Sequence, residues 1–485
     1  MLEGAPPRVF ALPPGADFPA GLVAGLEARL AGAAPEAWAD VEIFVNTRRM
    51  QRRLTALFDS GPARLLPRIR LVTEIDRLTA DALPPPAPAL ARRLALARLV
   101  EAHLAAAAGG GAAHAFEMAE SLSRLIAEMA GEGVTRADLA ALDLGDLSAH
   151  WQANRRLIEL ALRLAGDTAP EGEGRLRLAA GVLAARWAAA PPDHPVILAG
   201  STGARAPTAR LMGAVAALPQ GALVLPGFDF TMPADAWAAL KSSEMAEEHP
   251  QCRFLRLLRG LSLGPGDVRP WTDAAPAPDP ARGRVISLAL RPAPVTDRWR
   301  AEGPGLPELG AAMARAGLIE APDPRAEAGA IAAALREAVE AGRSAALITP
   351  DRVLARRVAA ALDRWRIVPD DSAGEPLGRT PPGRLLIQSA LCLGTRIEAS
   401  ALLALLKHPL VAWGAGRGRH LALTRRLERW MRRRGTAFAE ADVLRAFAGE
   451  VTEAAPWAGW LAPLLRAAAG APAEAALSDW LARHL

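Results

Sequence analysis

Cysteine, lysine and long apolar runs are all scarce in this chain of 485 residues. Cys252 and Cys392 are the only cysteines, which excludes a disulfide framework or a cysteine-only metal site and favours a reducing compartment, the cytoplasm. No stretch of 18 or more apolar residues is free of charges, so no membrane span is predicted. The N-terminal residues have neither a basic region nor a long apolar core, which argues against a secretory signal.

Lysine is almost absent: Lys241 and Lys407 are the only two, so arginine carries nearly all of the formal charge of +5. A GC-rich genome accounts for most of this bias.

The segment VFALPPGADF (residues 9–18) stands where an α/β ATPase would have its phosphate loop. Pro13 and Pro14 lack N–H donors, Asp17 adds negative charge, and no lysine precedes Lys241. We therefore do not expect this turn to bind ATP in the manner of a phosphate loop.

Alternating apolar segments and helical patterns predict an α/β fold with a parallel sheet. The predicted strands are residues 8–12, 41–45, 69–72, 195–199 and 222–225, and the helices between them include residues 19–30, 47–58 and 174–190. Helical spacing over residues 88–165 predicts an insertion, and the Pro-rich residues 264–307 suggest a boundary. From Leu318 to Val368 the pattern predicts strand, helix, strand, helix and strand, and the chain from Pro381 onward is again helical.

Two strand ends carry candidate anion-binding residues. In FVNTRRMQRRL a strand is followed by Asn46, Thr47 and then a helix that begins with arginines. Arginines near a helix N-terminus at the carboxyl edge of an open sheet could contact phosphate, although a solvated basic face is equally consistent with this pattern. In AGSTGARAPTARL a strand is followed by small residues, where a structural turn is the favoured interpretation. The candidate contacts are Asn46, Thr47, Arg48, Arg49, Arg52, Arg53, Ser201, Thr202 and Arg205.

Other motifs give weaker signals. Asp229 and the acidic loop with Asp370 and Asp371 have the composition of turns. The basic helix RRLERWMRRRG (residues 425–435) could follow a nucleic-acid backbone with Trp430 stacking on a base, but a solvated helix with a buried Trp fits as well. The histidines form no H-E-x-x-H spacing and no G-x-S-x-G elbow occurs, so neither a zinc protease nor a serine hydrolase is predicted.

An ordered set of segments resembles the alphaproteobacterial AddB family, subunits of the AddAB double-strand-break repair helicase–nuclease. These segments are VFALPPGADFPAGLVAGL, VEIFVNTRRMQRRL, RLLPRIRLVTEI, VILAGSTGARAPTARLM, LVLPGFD and IVPDDSAGEPLGRTPPGRLL. The resemblance runs from about Arg8 to at least His408. It implies a superfamily 1-like helicase fold of two RecA-like domains with helical insertions, in which VFALPPGADF and the acid-free ILAGSTG look like relics of a motor site.

The resemblance implies a division of the chain. Residues 1–87 and 166–306 would form the first RecA-like domain and residues 88–165 its helical insertion. Residues 307–380 would begin the second RecA-like domain, and residues 381–485 would be a second, incomplete insertion. Family members are about twice as long and end in a PD-(D/E)xK nuclease with an iron–sulfur cluster. That nuclease is not assignable here, so the sequence is expected to be a truncated gene or a partial record.

The resemblance also implies a function: an ATPase-dead, DNA-binding subunit that pairs with AddA, processes broken DNA ends for homologous recombination and scans for a hotspot sequence. Double-stranded DNA ends and single-stranded DNA would be its nucleic-acid partners, and no membrane is implied. No intact ATPase or nuclease site is expected in this chain. No cofactor is expected either, because the 4Fe-4S cluster and Mg²⁺ belong to the nuclease of full-length relatives. Two alternatives stay open: an enzyme of two α/β domains like a nucleotide-sugar transferase, and a purely structural partner of AddA.

Overall fold

The computed structural model forms two compact units, Met1–Gly317 and Leu318–Leu485. It describes residues 4–86, 88–106, 112–141, 155, 157–159, 161–163, 172–242, 246–306, 309–414, 416–472 and 474–485.

The first unit contains a six-stranded sheet in which every pair of neighbouring strands is parallel. The strands are β1 (Val9–Leu12), β2 (Glu42–Val45), β3 (Arg68–Leu71), β4 (Val196–Ala199), β5 (Gly221–Pro226) and β6 (Arg269–Pro270). Their order across the sheet is β3-β2-β4-β5-β1-β6. β1, β2 and β4 are buried along their whole length, as expected for central strands of a parallel sheet covered on both faces.

The prediction of an α/β fold is confirmed for this unit, and each of the five predicted strands forms within a residue or so of its expected limits. β6 was missed because it is only two residues long and lies in the Pro-rich region that we interpreted as a boundary. It pairs with β1 through Phe10 and Ala11, so this region completes the sheet.

Helices cover both faces of the sheet. The helices of the first unit are α1 (Phe18–Arg29), α2 (Arg48–Asp59), α3 (Ala89–Ala106), α4 (Ala112–Glu132), α5 (Arg136–Ala140), α6 (Gly172–Ala189), α7 (Ala206–Ala217), α8 (Ala234–Ser242), α9 (Cys252–Gly260), α10 (Pro280–Ala289), α11 (Arg298–Glu302) and α12 (Leu309–Met313). α1 and α2 bury Leu26 and Phe58 on one face, whereas α6 and α7 bury Leu183 and Leu211 on the other. This arrangement leaves the loops at the carboxyl edge of the strands as the place where ligands bind in open α/β sheets.

Helices also form where the insertion was predicted. α3 and α4 pack together around a separate small core that includes Leu96, Val100, Leu122 and Ile126. Much of the predicted helix at residues 150–165 lies outside the described residues.

The second unit is helical. Its helices are α13 (Pro324–Glu340), α14 (Arg352–Asp363), α15 (Pro381–Leu391), α16 (Ala399–Lys407), α17 (Arg417–Arg434), α18 (Ala441–Glu450), α19 (Ala455–Ala469) and α20 (Leu477–His484). Helices α16 to α19 enclose a core around Leu427, Trp430, Phe447 and Trp457. The edge-to-face contacts of Phe447 with Trp430 and Trp457 make this core a well-defined aromatic cluster.

The predicted strands of the second unit were wrong. Both predicted helices form as α13 and α14, but no strand occurs across residues 318–380, all of which the structure describes. Leu318, Ile348 and Val368, taken as strand residues, are 85%, 95% and 90% exposed. An apolar, β-branched pattern becomes a strand only where a neighbouring backbone accepts its hydrogen bonds and a second layer covers its outer face. The chain is therefore a mixed α/β protein with one parallel β-sheet of six strands and mostly helices elsewhere.

Candidate nucleic-acid interface

The carboxyl edge of the sheet brings together two segments that are 154 residues apart in sequence. Asn46 follows β2 directly, Gly200 follows β4, and β2 and β4 are neighbours in the sheet. The Asn46 side-chain Nδ2 donates a hydrogen bond of 2.9 Å to the Gly200 carbonyl. A cavity of about 370 Å³ at this point is lined by Asn46, Ser201, Thr202 and Arg205. Of the predicted contacts after β2, Asn46 therefore shares one site with the three predicted contacts after β4.

The turn after β4 is held in shape by its own polar groups. Gly200 and Gly203 both have positive φ, +77° and +66°, which glycine adopts without strain. The buried Ser201 hydroxyl accepts a hydrogen bond of 3.2 Å from the Gly203 N–H, while Thr202 is half-buried. This observation supports the structural-turn interpretation for Ser201 and leaves Thr202 and Arg205 as the accessible members of the segment.

Acidic side chains already occupy part of this edge. Arg205 forms an ion pair with Glu173, and the Ala206 N–H at the start of α7 donates 3.1 Å to a Glu132 carboxylate oxygen. A carboxylate at a helix N-terminus satisfies the dipole that would otherwise attract phosphate. An anion that binds here must therefore displace Glu132 or bind to the side chains outside it.

The arginines at the start of α2 are exposed but do not converge on one point. Thr47 caps α2 by accepting a hydrogen bond of 3.1 Å from the Met50 N–H. Arg48 pairs with Glu74 at 2.9 Å, and Arg53 lies 3.6 Å from Asp17 at the start of α1. Arg52 lines a different, shallow cavity beside β3.

Arg49, the fourth of these arginines, is exposed like the other three. Arg48 and Arg53 are thus paired with acids that follow β3 and β1, whereas Arg52 lies beside the residues that precede β3.

The turn after β1 is built as a helix cap. The Ala16 N–H bonds to the Pro13 carbonyl at 3.3 Å, and the Asp17 carboxylate accepts 3.2 Å from the Ala20 N–H at the first turn of α1. The position that would face a phosphate therefore holds a carboxylate, which repels phosphate. This geometry fits the expectation that VFALPPGADF does not act as a phosphate loop.

A mostly apolar cavity of about 450 Å³ lies next to this turn and was not anticipated. Pro13, Gly15 and Phe230 line it together with His249. Burial lowers the pKa of the His249 imidazole, and the hydrogen bond to the Leu290 backbone opposes that shift. The sequence contained no indication of this position, because His249 belongs to no histidine motif.

Gln251 fixes the loop around His249. The His249 Nδ1 accepts a hydrogen bond of 3.1 Å from the Gln251 N–H. The Gln251 side chain donates 3.0 Å to the Gly227 carbonyl and accepts 3.1 Å from the Asp229 N–H. Asp229 in turn accepts from both the N–H and the hydroxyl of Thr231, which agrees with the turn role expected of it.

In the second unit, two further motifs have structural roles. Trp430 is only 5% exposed, and its Nε1 donates 2.9 Å to Glu450, so the interpretation that it stacks on a base is wrong. Asp371 receives two hydrogen bonds from Arg352, of 3.0 and 2.9 Å, and one of 2.9 Å from the Ala373 N–H. The acidic loop is thus a turn stabilised by an ion pair, as its composition indicated.

Within the part of the chain that the structure describes, no group of three or more His, Cys, Asp or Glu side chains could hold a metal ion. Both cysteines are buried and free, and burial raises the pKa of the Cys392 thiol. No helix in the described ranges combines the length and apolar character required to cross a bilayer.

The chain matches no model of a known protein family, and no curated protein matches it.

Proposed function

We propose that this chain is an ATPase-dead, helicase-like DNA-binding subunit of the AddAB type. In this proposal the six-stranded unit is the first RecA-like domain, and the second unit, in which residues 318–380 form no strand, is not assigned to another. The chain pairs with AddA and takes part in processing DNA ends during double-strand-break repair by homologous recombination. Neither nuclease activity nor an iron–sulfur cluster is assigned to the residues of this chain.

One observation carries the DNA-binding part of this proposal: the hydrogen bond from Asn46 to the Gly200 carbonyl, which joins the two predicted segments at one edge of a parallel sheet. Ligands of open α/β sheets bind at this edge. Thr202 and Arg205 line the cavity there, and the arginines of α2 extend from it along the rim. Hydroxyl, amide and guanidinium groups are the side chains that contact DNA phosphates, and such contacts position DNA without reading its sequence.

The absence of a motor function rests on a second observation. Asp17 caps α1 with its carboxylate, Pro13 and Pro14 supply no N–H donors, and residues 199–201 offer no acid to hold Mg²⁺ through water. The turn after β1 therefore supports the proposal that any ATP-driven movement belongs to a partner subunit.

The test is binding of the 485-residue chain to a labelled duplex with a single-stranded tail, titrated with salt, with ATP hydrolysis followed in the same samples. We expect affinity that falls steeply with salt and no hydrolysis. DNA-stimulated hydrolysis would refute the account of the turn at residues 13–17. Failure to bind DNA at any salt concentration would refute the DNA-binding role and favour a purely structural partner.

A variant with alanine at Arg48, Arg49, Arg52 and Arg53 tests the site itself. Each lost phosphate contact lowers the slope of log affinity against log salt by about 0.9 on duplex DNA. The matched control replaces Arg343, Arg356, Arg357 and Arg364, which are exposed in the second unit. If both variants flatten the slope equally, the effect comes from net charge and the assignment of the rim is wrong.

The nucleotide-sugar transferase alternative gains no support from the acidic loop on which it depended. Asp371 is engaged by Arg352 and by the backbone of its own turn.

A further inference from the structure

Helix α17 carries a row of arginines on the face opposite its buried side. Arg425, Arg429 and Arg433 follow one another at four-residue intervals and are all exposed. Leu423, Leu427, Trp430 and Met431 form the buried side. Four residues advance an α-helix by about 6 Å, so the three guanidinium groups are distributed along about 12 Å of one ridge. We call Arg425, Arg429 and Arg433 the α17 row.

The carboxylates near this helix form ion pairs with cations that are not members of the α17 row. Glu428 is the only acid in α17, and it is paired with Lys407 of α16 and with Arg432. The hydrogen bond from Lys407 lowers the pKa of Glu428 the most, and the charge of Arg425 contributes least. The acids of the following segments pair with the flanking arginines: Glu453 with Arg426 and Glu450 with Arg434.

Among the described residues, no side-chain hydrogen bond or ion pair involves the guanidinium group of a member of the α17 row. The positive charge of the row is therefore largely uncompensated, whereas the neighbouring Arg426, Arg432 and Arg434 are each paired with a glutamate.

This arrangement is unfavourable for the helix by itself. Like charges at i and i+4 destabilise a helix, and the α17 row contains two such pairs. The helix dipole favours a cation at Arg433, in the last turn, but gives no such benefit to Arg425 and Arg429. Local arrangements that cost stability are expected mainly at functional sites. Arginine is also the side chain best suited to phosphate, because its planar guanidinium donates two parallel hydrogen bonds.

We infer that the α17 row is a second nucleic-acid contact, which binds the phosphate backbone of a DNA strand. DNA presents one phosphate per about 3.4 Å of each strand, so a ridge of about 12 Å faces three or four phosphates. The contact involves no base stacking, because Trp430 is buried and bonded to Glu450. The inference rests on the proposed function only for the choice of DNA as the polyanion, and it does not require the site at the carboxyl edge.

The test compares two triple variants of the full chain. The first, R425Q/R429Q/R433Q, removes the row. The second, R426Q/R434Q/R445Q, removes three exposed arginines that are paired with Glu453, Glu450 and Asp442. Both change the net charge by the same amount with the same substitution. Binding to a labelled duplex is titrated with salt, and the thermal unfolding of each variant is recorded.

We expect the row variant to lower the slope of log affinity against log salt by about 2.7, that is about 0.9 for each of three contacts, and the control to change it by much less. R425K/R429K/R433K, which keeps the charge, is expected to retain most of the slope. Equal effects of the two glutamine variants, or no effect of either, would overturn the inference.

Two further arms distinguish this contact from the rim of the sheet and from a membrane-binding surface. Adding the row substitutions to R48A/R49A/R52A/R53A should lower the salt slope further. If the rim variant loses DNA binding and the row variant keeps it unchanged, the row is not a contact. If the row variant loses DNA binding and the rim variant keeps it unchanged, the rim is refuted and the row is not. Vesicles containing anionic lipid are the other probe. If the row variant loses vesicle binding and keeps DNA binding, the surface is a membrane contact and the inference is wrong.

Discussion

Replacing Gly25 in α1 by alanine is expected to destabilise the first unit, although alanine normally favours a helix. Gly25 lies against Trp271, which follows β6 and is 1% exposed. The indole Nε1 donates 3.1 Å to the Leu22 carbonyl, the ring meets Phe10 edge to face at 5.2 Å, and the Arg29 guanidinium lies 3.7 Å from the ring centroid. A Cβ at Gly25 would lie 2.1 Å from that indole nitrogen. The ring is held on several sides and cannot move without breaking these contacts.

The expected loss combines three contributions. Relief of the clash by shifts of a packed core costs about 1–3 kcal/mol. Loss of the indole hydrogen bond to Leu22 leaves a buried donor and adds about 1–3 kcal/mol. Alanine returns about 1 kcal/mol of helix propensity. The net destabilisation of the first unit is therefore about 1–5 kcal/mol.

Gly213 provides a matched control, because it also lies inside a helix, α7, of the same unit. A Cβ built there has no heavy atom within 4 Å. Gly213→Ala should accordingly stabilise by about 0.4–1 kcal/mol. Urea unfolding, with hydrogen exchange to follow the amides of α1 and α7, measures both effects. If Gly25→Ala were as stable as the parent protein, Trp271 would not pack against α1 as described.

Three further outcomes are expected. Burial lowers the pKa of the His249 imidazole below its ordinary value of about 6.5. The stability that the neutral imidazole contributes is therefore present above about pH 6.5 and is lost as the pH falls through the lower pKa of the folded state. The urea midpoint of H249N, in which the amide oxygen replaces the Nδ1 acceptor, should therefore fall less between about pH 7.5 and about pH 5 than that of the parent. E74Q releases Arg48 from its ion pair and should tighten DNA binding up to about fivefold, since exposed pairs are worth up to about 1 kcal/mol. E120Q makes the same charge change on α4 and should leave the affinity unchanged. Equal effects of the two variants would show that net charge is the cause. W430F should cost about 1 kcal/mol of stability in thermal unfolding and leave the affinity for single strands unchanged, whereas a weakened affinity would show that the indole contacts DNA.

Strands that are buried on both faces were predictable from composition, and those that depend on distant partners were not. β1, β2 and β4 are short, mostly apolar runs bounded by turn residues, a pattern typical of central strands in a parallel sheet. β6 has no such pattern, because Arg269 and Pro270 become a strand only by pairing with β1. The segments around Ile348 and Val368 show the reverse case: a strand-like composition without a partner backbone stays irregular.

The candidate site was predictable to the same degree. Carboxyl ends of parallel strands meet at one edge, and there the structure joins Asn46 to the Gly200 carbonyl, a contact that we did not predict. That rule did not supply the acids that complete the site. Glu74, Glu132 and Glu173 come from parts of the chain with no motif of their own, and only the fold carries them to the rim.

This difference decides how the two basic surfaces should behave. At the carboxyl edge Arg48, Arg53 and Arg205 each face a carboxylate, so a phosphate that binds there exchanges one ion pair for another. Such exposed pairs are weak, which makes the exchange feasible but reduces the gain per contact. Within the part of the chain that the structure describes, the α17 row has no ion-paired acid to displace, and its mutual repulsion is relieved when phosphate binds. The sequence has four arginines on α2 and eight on α17, and the positions of the acids single out Arg425, Arg429 and Arg433 among the eight. The affinity of this chain for DNA should therefore depend on the second unit as well as on the rim of the sheet.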